Sequence, residues 1–494
     1  MNPFEGRETS LRDVRLKYNA LTLRYAIASS RFDESRLKEL DNESFVDGNL
    51  SFPQNLYGSK LWSLKTKEGM VENAFTLRIW APNLSNATSL PVIVWIHGGA
   101  FQEGSNTLDI YNCKNLAVNA RALVISINYR LNVFGFLTLP EYSINGNMGL
   151  SDQLVALQWI NKYAHHLCGD IDNVTLVGNS AGAAAISWHL YNRPSWPYFK
   201  KVFLNSGHIE CPWASVGRDE MIRRSRLLLE RFPGQTKDQR FKALLTAEFS
   251  KVLKCSRTQD ILGPNEVVNP ITFAWLPWIE ELSQVKPSCR VYFSLFRYEY
   301  LYFAYHSVFG EDEILLGSFS KDISVYNKRL AQREDCFLSI ESDVNFNSAF
   351  IKSMNSLSTK LPVFGLSLDI EPIRCLRKMD NLKAGDGPKT NMDLLYEDCL
   401  VATHGDEIPF VLQIQDDFSV FLEETPHNAE CLSVTTRNKE AGRVFLGLLK
   451  EIIQDHATSC CWIPFDKESE VIAIIGVDII RDNLRSIVLK NNSD

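Results

Sequence analysis

Runs of apolar, β-branched residues alternate along the chain with stretches of helical periodicity. Thr76–Trp80 is a short β-like run closed by Ala81-Pro82, and Pro91–Ile96 (PVIVWI) is almost wholly apolar. Ala122–Ile127 (ALVISI), Val174–Val177, Val202–Leu204, Val291–Phe296 and Pro362–Leu368 repeat the pattern. Strands that are apolar on both faces belong inside a largely parallel sheet covered by helices on each side. Between them, Asp152–Tyr163 (DQLVALQWINKY) reads as a helix. The predicted class is therefore α/β, with a largely parallel central sheet and helices on both faces. The charged, mostly helical stretch from about residue 216 to 261 reads as an insertion after the core strands, and residues 308–361 read the same way. No repeat, low-complexity tract or Gly/Ser linker interrupts the chain, so residues 1–494 read as one domain.

Composition excludes several function classes. Of 494 residues, 45% are hydrophobic and 22% charged, which is ordinary for a globular protein and unlike a disordered or fibrous one. A net charge of −7 lacks the basic footprint of a nucleic-acid binder. The N-terminal MNPFEGRETSLRDVR has no apolar core of a signal peptide, and Val471–Ile480 is too short to span a bilayer, which takes about 20 residues. The eleven cysteines are scattered without a metal-like pair of pairs, and adjacent Cys460 and Cys461 are poorly placed for an ordinary disulfide. Free thiols in a reducing, cytoplasmic setting are the expectation.

The chemistry concentrates around Asn173–Ala185, NVTLVGNSAGAAA. A β-branched run meets Gly178-Asn179-Ser180-Ala181-Gly182 and then a run of small helix formers, so G-x-S-x-G falls where a strand turns sharply into a helix. Such a turn strains the serine backbone and lifts its hydroxyl to the tip of the sheet; glycines two before and two after let strand and helix approach. Ser180 is the candidate nucleophile. The Ala181 amide, at the helix N-terminus, faces where an oxyanion would form. WIHGGAF (Trp95–Phe101) follows the PVIVWI strand, and its Gly99 and Ala100 amides are the other candidate donors. His97 precedes those donors and reads as loop packing, not as the base.

A serine hydroxyl needs a base, and in this architecture the order along the chain is Ser, acid, His. His189 follows Ser180 too closely to leave room for an acid-bearing strand. Of His208, His306, His404, His427 and His456, only His404 lies in a glycine-containing loop, Thr403-His404-Gly405-Asp406-Glu407. The acid should end a core strand and reach the imidazole Nδ1. Glu299 and Asp369 both follow apolar runs, and the residues alone leave the two open.

WIHGGAF, INYRLNVFGFL (Ile127–Leu137), GNMGLSDQLVALQWI (Gly146–Ile160), GDIDNVTLVGNSAG (Gly169–Gly182), NSGHIECPWA (Asn205–Ala214) and HGDEIPFVL (His404–Leu412) occur in that order. Together they resemble the type-B carboxylesterase and cholinesterase family of α/β-hydrolase folds, and most resemble its intracellular insect alpha-esterases. The resemblance implies Glu299 as the acid, in Arg297-Tyr298-Glu299-Tyr300-Leu301-Tyr302-Phe303, and supports His404 as the base. It implies that Trp213 lines the acyl pocket and that Ser206 supports the triad from behind. It implies an esterase without metal or cofactor, acting on small to medium hydrophobic esters, xenobiotics among them. Organophosphates and carbamates would be covalent inhibitors of Ser180.

Several positions depart from the family pattern. Asn179, near the substrate, replaces a glutamate and weakens any preference for cations. Tyr300 replaces the glycine after the acid, Ala100 a third glycine, and Asn132 the glycine of NYRLG. Ala74 and Phe232 stand where the family has disulfide cysteines, Phe232 as the missing partner of Cys255. Arg31 with Glu72 and Arg130 with Asp152 are retained as scaffold ion pairs. The rival reading is a binding or sequestering protein with slow turnover. A cholinesterase would need an aromatic cation site, for which Trp62 is the nearest candidate. The sequence assigns no oligomeric state.

Overall fold

The computed structural model describes residues 20–55, 69–82, 89–258, 261, 275–279, 282, 284–296, 299, 342–368, 404–413, 436–454, 464–469, 471–475 and 479–483. Tyr300, Asp369, Trp62, His306, His427, His456, Cys460 and Cys461 lie outside the described residues, as do all of residues 308–341.

Twelve strands are described: β1 Leu21–Arg24, β2 Ala26–Ile27, β3 Arg36–Leu37, β4 Thr76–Trp80, β5 Leu90–Ile96, β6 Leu123–Ile127, β7 Gly169–Asn179, β8 Lys201–Asn205, β9 Arg290–Leu295, β10 Val363–Leu368, β11 Val471–Ile475 and β12 Ile479–Asn483. Ten form one sheet in the order β1-β4-β6-β5-β7-β8-β9-β10-β11-β12; β2 and β3 pair separately. From β6 to β11 every neighbouring pair is parallel, and antiparallel strands flank this block on both sides. This is the expected α/β arrangement with a largely parallel sheet.

Alternation along β5 shows why the strands read as apolar throughout. Val92, Val94 and Ile96 enter one hydrophobic cluster with helices α2 (Met148–Tyr163) and α3 (Ala181–Tyr191). Ile93 and Trp95 enter another with α1 (Lys114–Ala120) and α8 (Thr436–Gln454). Successive side chains point to opposite faces of a strand, so both layers need apolar residues. Burial is complete for Val92, Ile93, Val94, Trp95 and Ile96.

The insertion after β8 is helical, as expected: α4 Arg218–Leu229, α5 Lys237–Thr246 and α6 Phe249–Cys255. Thr236 caps α5 in a reciprocal capping box with Gln239. Further on, α7 spans Ser348–Ser358 after an irregular turn at Asp343–Asn347. In the apolar run at Val471–Ile480, Val471–Ile475 forms β11, which pairs antiparallel with β12 at the sheet edge.

Both expected ion pairs are present. Arg31 grips Glu72 and also reaches the carbonyls of Leu244 and Ala247, tying α5 to the N-terminal strands. Arg130 and Asp152 are buried and bidentate, at 2.8 and 2.7 Å. Ser35 Oγ and the Arg130 amide also donate to Asp152, while Arg130 donates to the Asp33 carbonyl. The pair fastens the segment after β6 to the first turns of α2. Cys113, Cys168, Cys211, Cys255 and Cys289 are free thiols, and Ala74 and Phe232 are packed in the core.

Candidate active site

The parallel strands end on one side of the sheet, and the loops leaving β5, β7, β8 and β9 meet there, the usual place for a site in such a fold. Ser180 sits between β7 and α3 with φ 55° and ψ −125°, a left-handed conformation that L-residues rarely hold. Its neighbours leave it no other. The Ser180 amide donates to the Asn205 carbonyl at 2.9 Å, and Asn205 Nδ2 donates to the Gly178 carbonyl. Ser294 Oγ on β9 in turn donates to Asn205 Oδ1 at 2.7 Å. A Cβ at Gly182 would stand 2.0 Å from the Ile96 carbonyl oxygen, and one at Gly207 would stand 2.2 Å from that of Ser180. The turn is clamped between strand ends on both sides.

Ala181 is the first residue of α3, so its amide has no acceptor within the helix. The Gly99–Phe101 loop is left-handed throughout, with φ of 103°, 53° and 62° at Gly99, Ala100 and Phe101. Gln102 and Glu103 amides both donate to the Gly99 carbonyl, and the Asn132 amide donates to that of Phe101. Among the described residues, the Gly99 and Ala100 amides donate to no backbone carbonyl. Asn132, where the family has glycine, is itself left-handed at φ 45°, which asparagine tolerates. Its side-chain amide donates to the carbonyls of Pro53 and Gln102, so this departure braces the loop.

Glu299 and His404, 105 residues apart, are in contact: His404 Nδ1–H donates to Glu299 Oε2 at 2.9 Å, with both side chains buried. Glu299 Oε1 accepts from Ser206 Oγ and from the Phe296 amide, each at 2.7 Å. Three donors around one carboxylate fix its orientation and suit its negative charge. With Nδ1 engaged, Nε2 is the ring nitrogen that can serve a nucleophile.

His97 is no candidate base. It lies flat against Tyr129, centroids 4.6 Å apart, donates Nδ1–H to the Gly98 carbonyl, and burial pushes its pKa down to about 4. His189 and His208 are equally buried and lowered, to about 3 and about 4. Trp213 is buried, donates its indole N–H to the Asn345 carbonyl, and packs on Phe346 at 5.5 Å. Phe346 packs in turn on the His404 ring at 5.1 Å.

Three residues near the site carry no motif of their own in the sequence. Asn205 is visible in NSGHIECPWA only as an unremarked neighbour of Ser206. Phe346 comes from the irregular turn before α7, where no motif marks it. Glu407 is wholly buried, and Asn179 Nδ2 donates to its Oε1 in a short contact. Burial and the nearby Glu299 push the Glu407 carboxyl well above its usual range. Among the described residues, no cluster of three or more His, Cys, Asp or Glu is placed to hold a metal.

A sequence model of the carboxylesterase family matches residues 24–288, more than half of the chain and most of the loops just described. The chain belongs to the carboxylesterase family. The family's α/β-hydrolase fold accounts for the sheet order and for the strand–turn–helix at Ser180. Among curated relatives, the chain is similar to an acetylcholinesterase of Danio rerio, 31% identical over 318 residues, or 62% of this chain and 48% of that protein. It is also similar to a cholinesterase of Mus musculus, 36% identical over 230 residues, or 46% of this chain and 35% of that protein. Acetylcholinesterase 1 of Caenorhabditis elegans is 33% identical over 228 residues, or 46% of this chain and 36% of that protein. The chain thus spans about a third to a half of the length of these relatives.

Proposed function

We propose that the chain is a serine carboxylic-ester hydrolase that works through an acyl-enzyme. Ser180 Oγ attacks the ester carbonyl carbon while His404 Nε2 takes its proton. Glu299 holds the imidazole by Nδ1 and stabilises the imidazolium. The amides of Gly99, Ala100 and Ala181 receive the oxyanion, which in esterases of this kind is a leading electrostatic contribution. The tetrahedral species expels the alcohol, protonated by His404. Water, activated by the same imidazole, then attacks the acyl carbon and releases the acid. The observation that carries this reading is the buried Glu299–His404 contact, on the same side of the sheet as a serine held at φ 55°. The chain needs no metal or redox group for these steps.

Small to medium hydrophobic esters, including xenobiotics, are the proposed substrates. Asn179 supports this choice over a cationic ester, because it presents an amide, not a carboxylate, beside the nucleophile. We place the enzyme in the cytoplasm, consistent with the five described free cysteines. The test is labelling with a fluorophosphonate, followed by intact mass, on wild type and Ser180→Ala, with turnover of a p-nitrophenyl ester series. One adduct per chain, lost in the variant, with sustained hydrolysis is the expected result. Absence of an adduct would overturn the esterase reading. An adduct with a single burst and no turnover would instead favour sequestration of esters or organophosphates.

A further inference from the structure

Two wholly buried carboxyl groups lie behind the nucleophile, and the fold has given them unequal company. Glu299 accepts from the Phe296 amide, Ser206 Oγ and His404 Nδ1. Glu407, three residues beyond His404, accepts one side-chain donor, Asn179 Nδ2, on Oε1, and its Oε2 has no partner among the described residues. Ser206 lies between them: its hydroxyl bonds Glu299 and is also close enough to act on Glu407. A hydroxyl has one proton to give, and here it goes to Glu299. Two carboxylates at such a site cannot both ionise cheaply. Burial and the nearby Glu299 favour the proton on Glu407, whose second oxygen has no partner among the described residues.

We propose that Glu407 is a positioning residue that works as a neutral acid, pinning Asn179 against the nucleophile turn and leaving Glu299 as the single carboxylate behind His404. The inference rests on the Ser180–His404–Glu299 reading for its catalytic meaning, though not for the protonation itself. The groups that face Glu407 are Glu299 on the loop after β9, Asn179 at the end of β7, Ser206 after β8, and Tyr111 ahead of α1; His404 and Asp406 belong to its own loop. Tyr111 is itself pushed up by burial, with Glu103 and Glu407 adding to the effect, so it offers Glu407 no compensating charge. Asn179 fits this role better than the family's glutamate would, because a third acid here would face two others. The amide donates to the carbonyl oxygen of a protonated acid without a charge of its own.

Infrared difference spectroscopy of the full chain, wild type against Glu407→Gln, tests the protonation without relying on activity. Between about pH 6 and about pH 10 the wild type should show a protonated-carboxyl C=O band that the variant lacks and that disappears with a midpoint above neutrality. Absence of that band near neutral pH overturns the proposal. The pH profile of fluorophosphonate labelling at Ser180 tests the positioning role. With Glu407 neutral, Glu407→Gln should keep the midpoint of the acid limb, because no charge near His404 is removed. A midpoint lowered by about one to two units would mean that a carboxylate had been supporting the imidazolium, and would overturn it. If the wild type fails to label, the esterase reading falls, and the infrared titration still decides the state of Glu407. Should Glu407→Gln not fold, Asn179→Asp serves instead. It should retain the band at neutral pH with its midpoint moved upward, and loss of the band there would refute a shared, retained proton.

Discussion

Acid should destabilise this protein well before its surface carboxylates are protonated, because three buried histidines are held neutral. His97 is stacked on Tyr129, His189 is bonded through Nδ1 to Ser195 and through Nε2 to Gln153, and His208 is bonded to Ser353. Burial lowers the three to about 4, 3 and 4 from an unfolded value of 6.5. Between those limits the unfolded chain binds protons that the folded chain refuses, so stability rises with pH and is lost as pH falls. From about pH 7 to about pH 5 each histidine costs about 2 kcal/mol, or about 6 kcal/mol together. Glu407 acts in the opposite sense. Its folded pKa is raised, so the native state holds a proton the unfolded chain releases, and acid restores part of that loss over the same interval. Partly buried Glu34 adds a smaller effect of that sign. The net expectation is a loss of stability between about pH 7 and about pH 5, smaller than the histidines' ~6 kcal/mol and still a measurable share of the ~5–15 kcal/mol typical of a folded domain. Urea unfolding at the two pH values measures it, and His189→Gln should reduce the loss by about 2 kcal/mol. A protein equally stable at both, or a variant with the wild-type pH dependence, would refute the reasoning.

Asp152→Ala should cost about 3–5 kcal/mol, read as a lowered urea midpoint, because it strands the buried Arg130 guanidinium and removes four hydrogen bonds. A loss below about 1 kcal/mol would mean that water or backbone carbonyls compensate. Gly182→Ala puts a Cβ 2.0 Å from the Ile96 carbonyl oxygen and 2.8 Å from that of His97. Backbone on both sides must part, and a shift of about 1 Å should slow fluorophosphonate labelling of Ser180 about a hundredfold; a wild-type rate would contradict it. Ser206→Ala removes one of three donors to Glu299. A hydrogen bond to a charged group contributes about 1.5–3 kcal/mol, so kcat/KM should fall about 10- to 100-fold with the loss in kcat, and an effect confined to KM would place Ser206 outside the triad's support.

The core strands were legible because burial on both faces writes itself as a continuous apolar run. The apolar run Thr76–Trp80 coincides with β4, and the runs at β5, β6, β8, β9 and β10 match their strands to within one residue at each end. Elsewhere the pattern failed for identifiable reasons. β7 starts at Gly169, not Val174, because its first residues, GDIDN, are polar and pair with β5 across a register shift at Pro91/Val92. β1 alternates buried and half-exposed positions over only four residues, too few to stand out. The helical pattern starts at Asp152 although the helix begins at Met148, because Met-Gly-Leu-Ser does not announce a first turn and its cap Asn147 is left-handed without a side-chain cap bond. Ser180 was legible because its geometry is local, five residues between a strand and a helix.

The acid and base were legible in a weaker sense, and Glu407 was not legible at all. Glu299 and Asp369 look alike from the residues, and resemblance to a family was needed to choose between them. What distinguishes Glu299 is its company of Ser206, Phe296 and His404, drawn from separate loops beyond the strand ends. Glu407 carries the same side chain, equally buried, but among the described residues only one side-chain amide, that of Asn179, donates to it, and its second oxygen has no partner. A sequence reports that an acid is present; the number of donors that the fold turns toward it decides whether it serves as a charge or as a hydrogen-bonded prop. Asn179 illustrates the same point from the other side. Read alone, it is a lost carboxylate that weakens the grip on cations. Read with Glu407, it is a donor to a buried acid that adds no charge of its own beside the nucleophile, so the exchange at that position changes how the two residues share a site instead of only deleting a carboxylate.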